Sequence, residues 1–228
     1  MYRPFFRSGL IGIGVVIVSL ILMAINPSDA PKMPEGLSTP VLAFEFAQSK
    51  QEVFDLFGDD PVVRAELVQA FDLGSWVDFG YMLLYAGFLF VFAVQVRRVD
   101  GRSLFYAAAG LALIIFFADL LENVQLLGIT AALDSGQFDR QLTLLPIFTW
   151  IKWGGLAIYF LLLLPYFFTQ NLFARIIGIF AIITFGLGGV AFLNRSVFNE
   201  YFAKAIAGMF VLLIVYAFVT KTESANAP

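Results

Sequence analysis

Apolar residues fall along the chain in six long runs, separated by short polar stretches and one long polar segment. A helix needs about 20 apolar residues to cross a hydrocarbon layer roughly 30 Å thick. The runs at 8–25, 75–96, 103–129, 143–168, 172–193 and 197–220 meet that length. The pattern predicts an all-α fold, a polytopic transmembrane helix bundle of about six spans that forms one membrane domain over residues 1–228. The last two runs are joined only by a turn at Asn194-Arg195-Ser196, so they are expected to form an antiparallel hairpin. The first run follows Arg3 and Arg7 as a signal peptide would. It is long, however, and Asn26-Pro27-Ser28 offers no clear small-x-small cleavage site, so it reads as an uncleaved anchor.

The polar segment 27–74 changes character along its length. Residues 27–39 are rich in Pro, Ser and Gly and read as an irregular linker. From about residue 40 helical signals appear. Ser49-Lys50-Gln51-Glu52 fits a capping box ahead of Val53, Phe54, Leu56 and Phe57, and Gly58 stands where such a helix stops. Asp60-Pro61 fits a second helix start, after which Val63, Leu67, Ala70 and Phe71 form an apolar stripe. Two or three short amphipathic helices are therefore expected in this first outer loop, lying flat on the membrane surface or capping the bundle. Within it, Glu45 interrupts the run Leu42-Ala43-Phe44-Glu45-Phe46-Ala47. It is expected to face water, or else to dip toward the bundle.

Composition agrees with the spans. Of 228 residues 60% are hydrophobic and only 14% charged, with a mean hydropathy of +0.86, whereas soluble domains are about one quarter charged. Cysteine and histidine are both absent, which removes disulfides, thiolate chemistry, the commonest metal ligand and the commonest general base. No cofactor or metal site is expected. The net charge of −3 is mild and no basic block suggests nucleic acid. Basic residues set the orientation. With the N-terminus inside, Arg3, Arg7, Arg97, Arg98, Arg102, Arg175 and Lys221 fall on the inner side, and the short outer loops hold only Arg140, Arg195 and Lys204. Both termini are then cytoplasmic, and a bacterial inner membrane is the expected location.

Four ionisable residues stand inside the runs, where a charge at the bilayer centre costs about 2.5 to 3.5 kcal/mol even on lenient scales. They are Asp78, Asp119, Glu122 and Lys152. At a rise of about 1.5 Å per residue, Asp78 lies about 5 Å and Lys152 about 14 Å below the outer ends of their spans, and Asp119 lies about 24 Å above the inner end of its own. All four fall in the outer half although the helices alternate in direction. Asp119, Glu122 and Asn123 share one helix face at i, i+3 and i+4, and Asp78 shares a face with Tyr81. The expected constellation is Asp78, Tyr81, Asp119, Glu122 and Asn123 opposed by Lys152, with Glu45, Trp150 and Trp153 as secondary candidates. Three carboxylates against one ammonium cannot all be ionised cheaply, so one holds a proton or a cation binds. The competing reading is that a buried Asp–Lys pair, with Asn and Tyr as interhelical hydrogen-bond partners, simply locks the packing. Gly186-Leu187-Gly188-Gly189 follows no strand and reads as a close helix contact, and Pro146 and Pro165 are expected to kink the fourth span.

These elements resemble a pattern in uncharacterised bacterial multi-spanning membrane proteins. The matching stretches are Phe44-Glu45-Phe46-Ala47, Asp78-Phe79-Gly80-Tyr81, Asp119-Leu120-Leu121-Glu122-Asn123 and Lys152, covering roughly residues 8–168. The resemblance implies no activity, and the last two spans look like an addition to its shorter members. Three functions are consistent with the residues. The first is an outward-facing site that binds or translocates a proton, cation or small polar solute. The second is a structural or accessory subunit with a membrane-protein partner. The third is an intramembrane enzyme acting on a lipid, with Asp119 and Glu122 as acid and base and Lys152 holding an anionic head group. No catalytic residue is assigned. Membrane lipids are the remaining expected partner.

Overall fold

The computed structural model describes residues 3–221. Its helices, in chain order, are α1 (Phe6–Ile25), α2 (Pro40–Glu45), α3 (Lys50–Phe57), α4 (Pro61–Asp100), α5 (Leu104–Ala131), α6 (Asp139–Leu162), α7 (Leu164–Phe167), α8 (Leu172–Leu193) and α9 (Val197–Val219). Six of them, α1, α4, α5, α6 with α7, α8 and α9, are long and apolar enough to cross a membrane. The protein is a multi-pass integral membrane protein with an all-α bundle.

Side-chain placement fits a lipid solvent. Ile13, Ile17 and Leu20 on α1, Ile114 and Phe117 on α5, and Ile176, Ile179 and Ile183 on α8 are exposed apolar residues. The interior is filled by aromatic rings from several helices, including Phe88, Phe92, Phe160 and Phe210, all within 6.0 Å of a neighbouring ring centroid. Lipid gives helices no hydrophobic drive to associate, so close backbone approach matters. Gly12 provides it between α1 and α9, since a Cβ there would come within 2.6 Å of Ile214. Gly155 does the same between α6 and α5 against Ile115. Of the expected glycine contact in α8, only Gly188 is used, packed on Phe202, while Gly186 and Gly189 meet nothing within 4 Å.

Neighbouring helices follow the chain: α1 packs on α4, α4 on α5, α5 on α6, α6 on α8 and α8 on α9, and α9 returns to α1. The α8–α9 hairpin is present as expected, with Ser196 and Asn199 forming a capping box at its turn. Two details differ from the sequence reading. The stripe at 61–71 and the second span form one helix of 40 residues, about 60 Å long and so twice the hydrocarbon thickness. Nothing between Phe71 and Trp76 breaks it, because a single Gly74 only weakens a helix. Pro146 lies within a continuous α6, whereas at Pro165 the chain stops and restarts, α6 ending at Leu162 and α7 beginning at Leu164.

The segment between α1 and α4 folds onto one end of the bundle, hereafter the capped end. Phe44 of α2 packs against Phe57 and Phe71, with ring centroids 5.3 and 5.1 Å away, in a second apolar cluster that includes Leu126, Phe138 and Leu145. Two charged groups fasten the cap to the α8–α9 hairpin. Glu200 accepts hydrogen bonds from the backbone N–H groups of Ser38 and Thr39 at 2.9 and 2.8 Å and from the Thr39 hydroxyl at 2.8 Å, which satisfies donors ahead of α2. Arg195 donates both arms of its guanidinium to Glu52, each at 2.6 Å, and one also to the Phe46 carbonyl at 2.9 Å.

Those Arg195 hydrogen bonds hold the Glu52 carboxyl below its ordinary value of 4.5. A carboxylate with a depressed folded-state pKa stabilises the fold above its unfolded pKa, and that contribution vanishes as pH falls through the folded value. Glu52→Gln is expected to lower detergent-solubilised stability by about 1 kcal/mol at neutral pH. The gap to wild type is expected to close as pH drops below 4.5. Thermal melts across pH check both.

A buried lysine ringed by carboxylates is the candidate functional site

Five helices converge beneath the cap. Lys152 projects inward from α6 and is 7% exposed. Its ammonium lies 3.0 Å from Glu45 Oε1 and 3.3 Å from Asp119 Oδ1, and it contacts Glu122 directly. The i, i+3 spacing on α5 turns Asp119 and Glu122 to the same side, and Glu122 is fully buried. Glu45 arrives from the other direction, at the last turn of α2. Its second oxygen accepts a 2.9 Å hydrogen bond from the Trp153 indole. The Thr149 hydroxyl, 3.2 Å from its backbone carbonyl, ties the end of α2 to α6.

A second layer of hydroxyl and amide groups surrounds these charges. The Tyr85 hydroxyl donates to Asp119 Oδ2 at 2.5 Å. Asn123 donates to Asp78 Oδ2 at 2.6 Å. The Ser19 hydroxyl of α1 lies 3.0 Å from the Tyr81 hydroxyl and 2.9 Å from the Val15 carbonyl; since that carbonyl can only accept, Ser19 can donate to it and accept from Tyr81.

The sequence candidates Asp78, Tyr81, Asp119, Glu122, Asn123 and Lys152 therefore gather in one place, with Asp78 joined to the cluster through Asn123 and the cavities described next. Two secondary candidates join them: Trp153 as a donor, and Glu45 as a direct partner of the ammonium. The expectation that Glu45 faces water gives way to the alternative, because α2 is pinned by Thr149 and by its aromatic neighbours with Glu45 aimed inward. Trp150 does not reach the charges and packs between Phe46 and Phe192. Two groups were not anticipated. Tyr85 stands four residues after Tyr81, so the same helical arithmetic places it on the Asp78 face. Ser19 carries no such signal within an otherwise apolar span.

Two cavities meet at this cluster. One, of about 150 Å³, lies under α2 and is lined by Asn26, Ser75, Asn123, Glu45 and Asp78 among apolar neighbours. The other, of about 180 Å³, lies on the α9 side and is lined by Tyr81, Tyr85, Asp119 and Lys152. Glu45 and Asp78 border both. The Phe88 and Phe160 rings pack on Phe210, with centroids 5.9 and 6.0 Å away.

Acceptors outnumber donors here. Four carboxylates face one ammonium; Glu122 Oε1 receives no hydrogen bond, and the only cation near Asp119 Oδ1 is the shared ammonium at 3.3 Å. Desolvated like charges this close repel one another strongly, and either a proton or a further cation among them would relieve that repulsion. Among the described residues, no group of acidic side chains is placed to hold a metal ion. Lys152 occupies the point that Glu45, Asp119 and Glu122 share. No protein-family model, curated protein or solved structure matches this chain.

Removing one partner of a buried charge network strands the others, at a cost of about 3 to 5 kcal/mol. Lys152→Met is expected to destabilise the detergent-solubilised protein by that much. Adding Glu122→Gln to Lys152→Met is expected to recover part of the loss rather than deepen it, because it removes one of the stranded acids. Paired melts of the single and double variants read the coupling directly.

Proposed function

We propose that the Lys152 cluster is a proton-exchanging binding site within the membrane, serving the binding or movement of a proton or small polar solute from the capped side. The observation that carries this reading is the mismatch of four carboxylates with one ammonium, together with buried carboxylate oxygens that receive no hydrogen bond. A purely structural lock in an accessory subunit would be expected to satisfy its acceptors, since an unpaired buried polar atom costs about 1 to 3 kcal/mol. Intramembrane ionisable clusters of this kind mark proton relays and solute pathways. The cavity under α2, where Asn26 and Ser75 line the same space as Glu45 and Asp78, supports access from the capped side. A proton fits better than a metal cation, because the lysine ammonium already fills the shared centre.

The surrounding charges give the site a direction. Arg97 and Arg98 end α4, Arg102 follows them, Arg175 begins α8 and Lys221 follows α9, all at the end opposite the cap. The positive-inside rule assigns that end to the cytoplasm and the cap to the outside. A bacterial inner membrane is the setting that accords with the resemblance of the Asp78, Asp119-x-x-Glu122-Asn123 and Lys152 pattern to bacterial multi-spanning proteins.

A difference titration tests the proton-exchange reading. Wild type and Asp119→Asn share every other titratable group, among them Glu45, Asp78, Tyr81, Tyr85, Glu122 and Lys152. Proton release measured with an indicator, from mildly acidic to mildly alkaline solution, is expected to be larger in wild type by about one proton per chain. Identical release from two equally folded proteins contradicts the proposal.

A further inference from the structure

The α9-side cavity reaches the site from within the membrane. Its walls come from α4 and α6 on one side and from Ala203, Ile206, Ala207 and Phe210 of α9 on the other. Ala207 is exposed and Ala203 half-exposed. Ala207 stands ten residues into α9, about 15 Å along the helix from its start at the capped end. That depth lies inside the hydrocarbon layer. Ala207, exposed and part of the cavity lining, is therefore the side of the cavity that lipid tails would meet.

The reason for this exposure is visible in how α1 packs. Near its start α1 lies against α9, where Gly9 faces Phe218 and Gly12 faces Ile214. Farther along, its contact is with α4, through the hydrogen bond between Ser19 and Tyr81. Small side chains at Ala203 and Ala207 then form the thin α9 flank of the cavity beside the cluster.

The chemistry of the cavity is two-sided. Leu156, Ile206 and Phe210 form an apolar wall, while Asp78, Asp119 and Glu45, with the Lys152 ammonium among them, form a polar end in which acids outnumber the one cation. Asp78 lines this cavity and receives only the Asn123 amide, while Asp119, 2% exposed, shares the Lys152 ammonium through Oδ1 at 3.3 Å with Glu45 and Glu122. With acids in excess of cations, an anionic head group is repelled and a cationic hydrogen-bond donor is attracted.

Building on the reading of the cluster as a binding site, we propose that this cavity receives a cationic amphiphile from the bilayer, with its ammonium head at Asp119 and Asp78 and its chain along Leu156, Ile206 and Phe210. The ammonium replaces the shared proton as the counter-charge of the excess carboxylates. Amine binding therefore competes with protonation of the cluster.

The test uses the full chain in zwitterionic nanodiscs, in a background where Trp76 and Trp150 are replaced by Phe, so that Trp153 reports from the cavity wall. The probe is a long-chain amine brominated beside its head group, with the matching alcohol and phosphate as comparisons. Saturable quenching by the amine is expected, with no saturable quenching by the phosphate. Ala207→Phe fills the lipid-facing side of the cavity without touching the charges. It is expected to weaken amine binding at least about tenfold while leaving the melting temperature and the Asp119-dependent proton release unchanged. Three results overturn the inference: quenching that never saturates, amine binding unaffected by Ala207→Phe in a folded protein, or alcohol or phosphate binding as tightly as the amine. If the amine fails to bind while the Asp119-dependent proton release persists, only the lipid-side route falls. If that release is absent, the proton reading fails on its own measurement.

Discussion

Burying one ammonium among four carboxylates inside a membrane bundle forces the rest of this structure to accommodate it. Each ion placed in a low dielectric loses several kcal/mol of solvation, which only close partners and hydrogen bonds offset. The fold supplies them from four helices. Lys152 comes from α6, Asp119 and Glu122 from α5, Glu45 from α2, Asn123 and Tyr85 as donors from α5 and α4, and the Trp153 indole from α6. Even so the supply of donors falls short. That shortfall is the feature on which the proposed proton-exchanging role rests.

The cap follows from the same requirement. A six-residue helix such as α2 has little stability of its own, yet it must hold Glu45 at hydrogen-bond distance from Lys152. Glu200 satisfies the backbone donors ahead of α2, Thr149 takes the carbonyl at its end, and Phe44 anchors its middle between Phe57 and Phe71. Arg195 then ties the loop beyond it to α3 through Glu52 and Phe46. Both Glu200 and Arg195 belong to the α8–α9 hairpin. The last two spans thus brace the cap at one end and border the lipid-side cavity with α9, which gives them a place in the site that the sequence pattern left open.

Hydropathy made most of the fold legible, because a span of about 20 apolar residues has few alternatives in a bilayer. Helix periodicity made the core of the site legible too: the i, i+3, i+4 spacing of Asp119, Glu122 and Asn123 and the shared depth of Asp78 and Lys152 brought them together on paper and in space. What escaped depended on long-range contacts. Glu45 could not be assigned inward from its own segment, since its partners stand more than a hundred residues away on α6. Ser19 reaches Tyr81 only because α1 leans on α4. Trp150 and Trp153, three apart on one helix, diverge because Phe46 and Phe192 claim the first while Glu45 claims the second. The continuity of α4 was hidden by a composition change at the membrane surface that has no counterpart in the backbone.

The central claim is that one acid of this cluster is neutral at ordinary pH while Lys152 stays charged beside it. Infrared spectroscopy of the purified protein reads this directly, through the carbonyl stretch of a protonated carboxylic acid shielded from water. The account predicts such a band at neutral pH in wild type, altered in Asp119→Asn and Glu122→Gln and unmoved by Glu52→Gln. A spectrum without any protonated-carboxyl band at neutral pH, from a protein shown to be folded, would mean that all four carboxylates are ionised around the lysine and would contradict it.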